Sequence, residues 1–336
     1  MAAAILVSLQ TSGGLADVVY FHSPPRAAAE SRIEGEVLDY TGHELRLRLP
    51  DGRERLLPGE HVARIETKRA TEQLSGDRLL GEGRFEAAIS ALDKAAGQDR
   101  RPWVRREIRA SKVRCLAALG RWREAGESFL QLLREDADTP YFKWIPLAWV
   151  PSTPSRAFRP AAEVWLRQTD HPAARLIAAS HLLSTGRRGA ALAALSELSN
   201  RDDRRIVALA KAQRWRTMAP SVTAAQIETW EALVERMPGD LQGGPYFVVG
   251  HAWAQHDKPR RAALALMHVP IFHPRQSRLA ARCLLDSGEA LERLGQTEAA
   301  ARLYDEIVSR YGYTTAGKEA QSRIDAATTR KRRSRG

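Results

Sequence analysis

The sequence predicts a mainly α protein, an α-α superhelical solenoid of stacked helix pairs preceded by a small all-β domain. Two observations carry this prediction. A short helical phrase recurs from Gly83 towards the C-terminus, whereas residues 17–67 alternate polar and apolar side chains with a period of two. A phrase repeated at a fixed period indicates a stack of similar units rather than one core. Period two is typical of β-strands.

The N-terminal region is interpreted as a small β-domain over residues 17–67. Residues 44–49 spell Glu-Leu-Arg-Leu-Arg-Leu between a Thr-Gly-His turn and a Pro-Asp-Gly-Arg turn. Strict alternation beside an Asp-Gly turn is a strong hairpin signal. The pattern predicts strands over 33–40, 44–49, 54–58 and 62–65, with Leu45, Leu47 and Leu49 inward and Arg46, Arg48, Arg53 and Arg55 outward.

The order of these strands is Gly-x-Val, then Leu-x-Leu-x-Leu, then a closing Val-x-x-Ile. This order resembles Sm-like and SH3-like small barrels, and Sm-like barrels often bind RNA. The resemblance therefore implies a nucleic-acid surface on the outward arginines. The alternative is a solvated strand face, which we favour because acidic residues interleave with the basic ones and no aromatic platform is evident. The acidic residues are Glu34, Glu36, Glu44 and Glu54.

The helical phrase begins with a turn residue and continues into an Ala-rich segment. It reads Gly-Arg-Phe-Glu-Ala-Ala from Gly83 and Gly-Arg-Trp-Arg-Glu-Ala from Gly120, and related phrases begin at Gly186, Asp257 and Gly295. The intervals on either side of Gly186, 66 and 71 residues, are about twice the first interval of 37. Each long interval therefore predicts one hidden unit. Seven units result, with starts at 83, 120, 156, 186, 221, 257 and 295.

Two stretches show the fullest repeat pattern. Residues 246–253 read Tyr-x-x-Val-Gly-x-x-Trp, and residues 284–291 read Leu-x-x-Ser-Gly-x-x-Leu, followed by Ala300, Tyr304 and Ile307. This pattern resembles the tetratricopeptide repeat, a helix-turn-helix unit of 34 residues. The resemblance covers residues 68–327 and implies stacked helix pairs in which small residues allow close approach and large ones fill the gaps. Residues 304–312 also resemble repeats of bacterial cell-envelope accessory proteins.

The third unit is degenerate. Its first helix would span residues 141–154, but this stretch contains Pro146, Pro151 and Pro154. Interior prolines break helices, at a cost of about 3 kcal/mol each. Five large side chains crowd the same span, and they either plug into the solenoid core or form an exposed aromatic ligand site. We favour the core because buried aromatics dominate core energetics. They are Tyr141, Phe142, Trp144, Ile145 and Trp149.

The sequence contains no catalytic signature, which predicts a non-enzymatic protein without cofactor or metal. His-Glu-x-x-His, Gly-x-Ser-x-Gly, a phosphate loop and Cys-x-x-Cys are all missing from it. His251 and His256 lie five residues apart and do not share a helix face. Cys115 and Cys283 occupy small-residue positions in separate units, where a free Cys behaves as a small apolar side chain.

In the tetratricopeptide family, ligands usually lie in a groove lined by the first helices, so the resemblance implies a partner-binding groove here. The chaperone-binding branch uses a Lys and Asn clamp for a peptide carboxylate. This sequence departs from that clamp, with Gln73 and Asp77 in the first unit and Ala110 and Arg114 in the second. The departure argues against a chaperone role. The candidate groove residues are Glu107, Arg114, Phe247, His251, Gln255, Arg282, Glu289 and Arg293.

The two ends of the chain suggest different properties. Residues 1–16 join an apolar run to a Gly-x-Ala site, similar to a truncated signal peptide without its basic leader; the alternative is a buried first strand. Export to the periplasm is therefore predicted, with the cytoplasm as the alternative. No later apolar run approaches the ~20 residues that span a bilayer.

The net charge is +12, and residues 328–336 are predicted to be a disordered basic tail. Such a tail attracts anions and could dock weakly on nucleic acid. Its basic residues are Arg330, Lys331, Arg332, Arg333 and Arg335.

Together these patterns favour a protein–protein interaction scaffold or adaptor that uses a groove of the repeats, in a bacterial cell envelope. The alternative is an RNA-associated adaptor that uses the β-domain and the basic tail.

Overall fold

A computed structural model describes residues 16–22, 30–151, 156–219 and 221–333. The N-terminal part is a five-stranded antiparallel sheet in the order β4-β3-β2-β1-β5, which confirms the predicted all-β region. A single 3₁₀ turn, Gly59–His61, separates β4 from β5. The strands are β1 (Asp17–Phe21), β2 (Ser31–Tyr40), β3 (Glu44–Arg48), β4 (Glu54–Pro58) and β5 (Val62–Glu66).

The two faces of β3 differ as the alternation predicts. Leu45 and Leu47 are fully buried, and Leu49, just after the strand, is partly buried. The four outward arginines are exposed. Arg48 lies 2.9 Å from the Glu36 carboxylate on the neighbouring strand. The outward face therefore has the cross-strand acid–base pairing expected of a solvated sheet surface.

The rest of the described chain is helical, which confirms the mainly α prediction. Helix pairs correspond to six of the seven predicted starts, and α14 follows the last pair and packs on α12 and α13. The helices are α1 (Thr71–Gly81), α2 (Phe85–Gln98), α3 (Pro102–Ala118), α4 (Trp122–Glu135), α5 (Arg159–Arg167), α6 (Pro172–Leu182), α7 (Arg188–Leu198), α8 (Arg204–Met218), α9 (Ala224–Glu235), α10 (Gly243–Gln255), α11 (Pro259–Phe272), α12 (Ser277–Arg293), α13 (Thr297–Tyr311) and α14 (Thr315–Arg333).

The turn between the two helices of a pair has the same geometry in four units. Gly83, Gly120 and Gly295 have φ near +75°, and Asp257 has φ of 53°. After α1, the Gly83 N–H donates to the Leu80 carbonyl and the Arg84 N–H donates to the Leu79 carbonyl. The same two hydrogen bonds recur at the other three turns. This is the Schellman stop that the recurring turn residue predicts.

The third unit lacks its first helix, as the prolines predict. Residues 141–151, here called the plug segment, contain one 3₁₀ turn, Phe142–Trp144, and otherwise run without regular structure. The unit's second helix is α5. Of the five large side chains predicted to enter the core, Phe142 and Ile145 are buried, as is Leu147, whereas Tyr141, Trp144 and Trp149 are partly buried. Pro154 lies outside the described residues.

The sheet is joined tightly to the first two repeat units. Arg106 on α3 donates to the Asp39 carboxylate at 2.5 Å and to the Tyr40 carbonyl at 2.9 Å. The Trp103 indole donates to the Val37 carbonyl, and the Gly42 N–H donates to the Asp136 carboxylate beyond α4. A single hydrophobic core also runs from Leu45 and Leu47 of the sheet to Leu79, Leu80 and other residues of the first repeats. The sheet and the first repeats therefore share one core.

The last repeat unit returns to the first two. The Tyr313 ring, between α13 and α14, packs edge-on against Phe85 with 5.3 Å between ring centroids, and it covers Gly83. Arg278 at the start of α12 donates to the carbonyls of Ala117 and Ala118 at the end of α3, at 3.2 and 3.1 Å. The last repeats therefore contact the first two, and the array of repeats closes on itself.

The described C-terminal region is helical to Arg333, so the predicted disordered tail overlaps α14 over residues 328–333. Residues 334–336 and 1–15 lie outside the described residues, and so does nearly all of the proposed signal segment. Cys115 and Cys283 are both buried and unpaired, as expected of small core side chains. None of the helices in the described ranges combines the length and apolarity that a membrane crossing needs.

Candidate functional site

The plug segment runs across the first helices α6 and α8 of two neighbouring pairs. Side chains of both helices hold it there by hydrogen bonds. The His181 ring Nε2 lies 3.1 Å from the Pro146 carbonyl. The Ala148 N–H donates to the Ser180 hydroxyl, while Gln213 and Arg216 both donate to the Ala148 carbonyl. A segment that cannot form helical hydrogen bonds thus has its backbone groups satisfied by side chains.

Trp149 at the end of the plug segment packs against the backbone of α10. A methyl group placed on Gly244 would lie 1.9 Å from Trp149 Cε2. Trp149 also contacts both the core of the middle units and the core of the last units. The glycine allows a close approach that no other residue type permits, and the plug segment connects two halves of the array.

His181 provides a pH-dependent test of this anchoring. Burial beside Trp122 and Phe158 lowers the pKa of His181 from 6.5 to about 4, and it outweighs the hydrogen bond to the Pro146 carbonyl, which acts in the opposite direction. Between pH 6.5 and 4 the unfolded chain binds a proton at this ring and the native chain does not. The free energy of unfolding should therefore fall as the pH drops through this window, by up to about 1.4 kcal/mol per pH unit from this residue.

We expect His181→Gln to remove this contribution. The free energy of unfolding, measured with urea between pH 4.5 and 7.5, should then fall less steeply with decreasing pH, by up to about 1.4 kcal/mol per pH unit. At pH 7.5 the imidazole is neutral in both states, so the difference between variant and wild type there measures the effect of the substitution apart from titration. Parallel pH profiles for variant and wild type would contradict a buried neutral imidazole at this position.

A cleft of about 160 Å³ opens beside the plug segment, where the closing of the array brings α3 close to the turn before α12. Four cationic side chains line it, and one carboxylate, Asp240, accompanies them. The cations come from three places in the sequence: α3, the plug segment, and the turn and first residues of α12. They are Arg114, Lys143, Arg275 and Arg278.

Arg114 lies deepest among these cations. Its guanidinium lies 4.4 Å from the centre of the Trp144 ring, and its Nε is buried without a hydrogen-bond partner in the described part of the chain. Burial lowers the pKa of Arg114, and the positive charge of Arg275 contributes in the same direction. The two guanidiniums therefore repel each other in a partly desolvated setting, which an anion between them would relieve.

Two of the three tryptophans that line the cleft, Trp122 and Trp144, have occupied faces, and the third, Trp149, packs on α10. Arg114 and Lys143 both lie over Trp144, at 4.4 and 6.0 Å from its centre. Trp122 has the His181 ring at 4.7 Å and Arg278 at 5.9 Å. Cation–π contact holds the charges in place and leaves these rings poorly suited to stacking on a flat ligand. The remaining wall is apolar, with Leu80, Phe85, Leu241 and other residues.

The groove residues predicted from sequence fall into two clusters. On α3, the Glu107 carboxylate accepts from Arg69 at 2.9 Å and from Gln73 at 3.2 Å, while Arg114 lines the cleft. Gln255 and Arg293 are exposed at the ends of α10 and α12, with Arg293 3.4 Å from the Ala254 carbonyl.

The second cluster is a charge network over α10, α12 and α14. His251 Nε2 and Arg282 Nε each lie 2.8 Å from an oxygen of the Asp286 carboxylate, and Glu289 pairs with Arg323. Phe247 is 3% exposed, so a partner cannot reach its ring in this structure. The sequence places Phe247 on the groove face, but helix packing turns it into the core instead.

Sequence reasoning missed Lys143, Arg275 and Arg278 as site residues. Arg275 and Arg278 are 161 or more residues from Arg114 along the chain, and only the closing of the array brings them together. The crowded aromatic and proline residues of the plug segment could have located the cleft from the sequence, because they mark where the regular groove is interrupted.

The tetratricopeptide repeat family model matches residues 79–143, from the end of α1 through α4 to the plug segment. No curated protein matches the chain. The match covers α2, α3 and α4 with the turns at Gly83 and Gly120, and the same Schellman geometry recurs at Asp257 and Gly295 outside the matched region. The tetratricopeptide repeat match over residues 79–143 therefore lies directly behind the five-stranded antiparallel sheet of the described chain.

Proposed function

We propose that this protein is a non-enzymatic scaffold that binds another protein through the first-helix face of its repeats. The observation that carries the proposal is the tetratricopeptide repeat itself, because stacked helix pairs present extended surfaces to partners. The exposed Gln255 and Arg293 mark a part of that face that a partner can reach.

A capture experiment with a photo-crosslinker placed at Gln255 tests the proposal. The otherwise wild-type chain with this crosslinker serves as wild type. Proteins crosslinked to it should be lost, by at least about tenfold, when the chain also carries Arg293→Glu, because the charge reversal opposes the same partner surface. Arg302→Glu is the matched control, since this exposed arginine lies on the second helix of its unit. Equal capture by wild type, groove variant and control would contradict the proposed binding face.

An RNA-associated adaptor is the second candidate raised by the basic residues. It receives less support, because Arg48 and Arg53 on the outward sheet surface pair with Glu36 and Asp51. It predicts binding that weakens steeply with salt and drops when residues 328–336 are removed. Filter binding with single-stranded RNA at two salt concentrations measures this, and salt-insensitive or absent binding counts against it.

A place in the cell envelope belongs to the same proposal and is supported by the apolar residues of segment 1–16. An upstream in-frame start that adds two or three basic residues, together with recovery of the protein from the periplasmic fraction, would support export. Recovery only with the cytoplasmic fraction would count against it.

A further inference from the structure

The cationic cleft differs from two other charged places near the first helices in how its charges are compensated. At those places a cation meets a carboxylate, as Arg69 does at Glu107 and Arg282 does at Asp286. Among the described residues, Arg114, Lys143 and Arg275 have no carboxylate oxygen within 4.0 Å. Buried or partly buried charges are normally paired, so a converging unpaired set calls for an anion from outside the chain.

We propose that this cleft binds a carboxylate-rich segment of a protein partner, with acidic side chains at Arg114, Lys143 and Arg275 and a neighbouring apolar side chain against Leu80, Phe85 and Leu241. The inference rests on the proposed protein-binding function and specifies the chemistry of the partner. Guanidinium groups suit this role because they present several donors in a planar fork that matches a carboxylate.

The shape of the site favours an acidic peptide over nucleic acid. Single-stranded nucleic acids are bound along extended basic grooves in which bases stack on aromatic faces. Here the cations converge on one cleft of about 160 Å³, and the faces of Trp122 and Trp144 are occupied by other side chains. Arg278 is already fixed by the carbonyls of Ala117 and Ala118, so it holds the cleft in shape and adds its charge.

The cleft is open to solvent at Arg275. Arg275 is exposed at its mouth, while Arg114 and Lys143 are partly buried further in. A peptide carboxylate would therefore meet Arg275 first and be desolvated as it approaches Arg114. Steering by the outer charges and tighter pairing with the inner ones should make both the association rate and the affinity depend on salt.

The test uses the full chain and a labelled, end-capped heptapeptide of six glutamates around one leucine, with fluorescence anisotropy as the readout. The expected results are saturable binding, at least severalfold weaker at 300 mM than at 50 mM salt, and no binding of the matched glutamine peptide.

Lys143→Gln combined with Arg275→Gln should weaken binding at least about tenfold. The matched control, Arg302→Gln with Lys318→Gln, changes the net charge equally on exposed side chains away from the cleft and should leave binding unchanged.

Several outcomes would overturn the proposal: equal binding of the glutamine peptide, equal loss in the control variant, or no loss in the Lys143 and Arg275 variant. Displacement by free glutarate at the same carboxylate concentration would reveal a small-anion site, and displacement by an oligonucleotide below the peptide concentration would reveal a nucleic-acid site. Arg275→Gln alone, in an exposed turn, keeps the test informative if the double variant does not fold. Loss of crosslinked partners in the Arg293 variant, with no peptide binding by the wild-type chain, would overturn the cleft and leave the scaffold standing. Normal peptide binding with equal capture by the Arg293 variant would do the reverse.

Discussion

Gly244→Ala is expected to destabilise the protein by about 3 kcal/mol or more, although Ala ordinarily favours a helix over Gly. The added methyl would lie 1.9 Å from Trp149 Cε2, inside the volume of a rigid indole ring. Trp149 must then leave its place, and the plug segment loses its contact with the last units. Urea unfolding followed by tryptophan fluorescence measures the loss.

Gly239→Ala is the matched control for this experiment. Gly239 lies in the same region, and a methyl group on it would meet nothing within 4 Å. We expect its stability to stay within about 0.5 kcal/mol of wild type, as for most surface substitutions. A Gly244→Ala protein as stable as the control would mean that Trp149 does not pack on α10 in solution.

Gly42→Ala is expected to separate the sheet from the repeats or to lower stability by about 3 kcal/mol or more. A methyl group on Gly42 would lie 1.6 Å from the Asp138 carbonyl oxygen, and a backbone atom cannot move aside as a flexible side chain can. The hydrogen bond from Gly42 to Asp136 would be lost as well. Limited proteolysis between β5 and α1, together with thermal unfolding, would detect release of the sheet.

Gly52→Asn provides the comparison within the same sheet. Gly52 has φ of 84° in open space, and Asn tolerates that conformation better than most residues. A loss of about 1 kcal/mol or less is expected, with no new cleavage before α1. Arg106→Ala tests the same contact between the sheet and the repeats, because it removes the hydrogen bonds to Asp39 and Tyr40. Unchanged proteolysis in both Gly42→Ala and Arg106→Ala would show that these contacts do not hold the sheet against the repeats.

Much of the fold could be predicted because its signals are local. A residue in the left-handed conformation ends a helix within one turn, so the recurring Gly83, Gly120 and Gly295 marked real helix stops. Three prolines in the third unit predicted the missing helix for a similarly local reason. Alternation around Leu45 and Leu47 fixed which face of β3 is buried.

The candidate site was predicted only in part. Arg114 was identified from its position on a first helix, but its neighbours Arg275 and Arg278 belong to a unit far along the chain. Phe247 was assigned to the groove by its spacing, whereas it is buried in the core of the last units. Periodicity gives the side of a helix on which a residue lies, and it does not say what packs against that side.

By itself, the sequence determined the period of the repeats, the positions of their turns, the broken third unit and the pattern of the sheet, because each depends on neighbouring residues. Only the tertiary structure decided that Tyr313 returns to Phe85, that Arg278 meets the end of α3, and that four cations therefore surround one cleft. The physical reason is cumulative geometry: each repeat adds a small rotation to the last, and where the array closes depends on the sum of all of them.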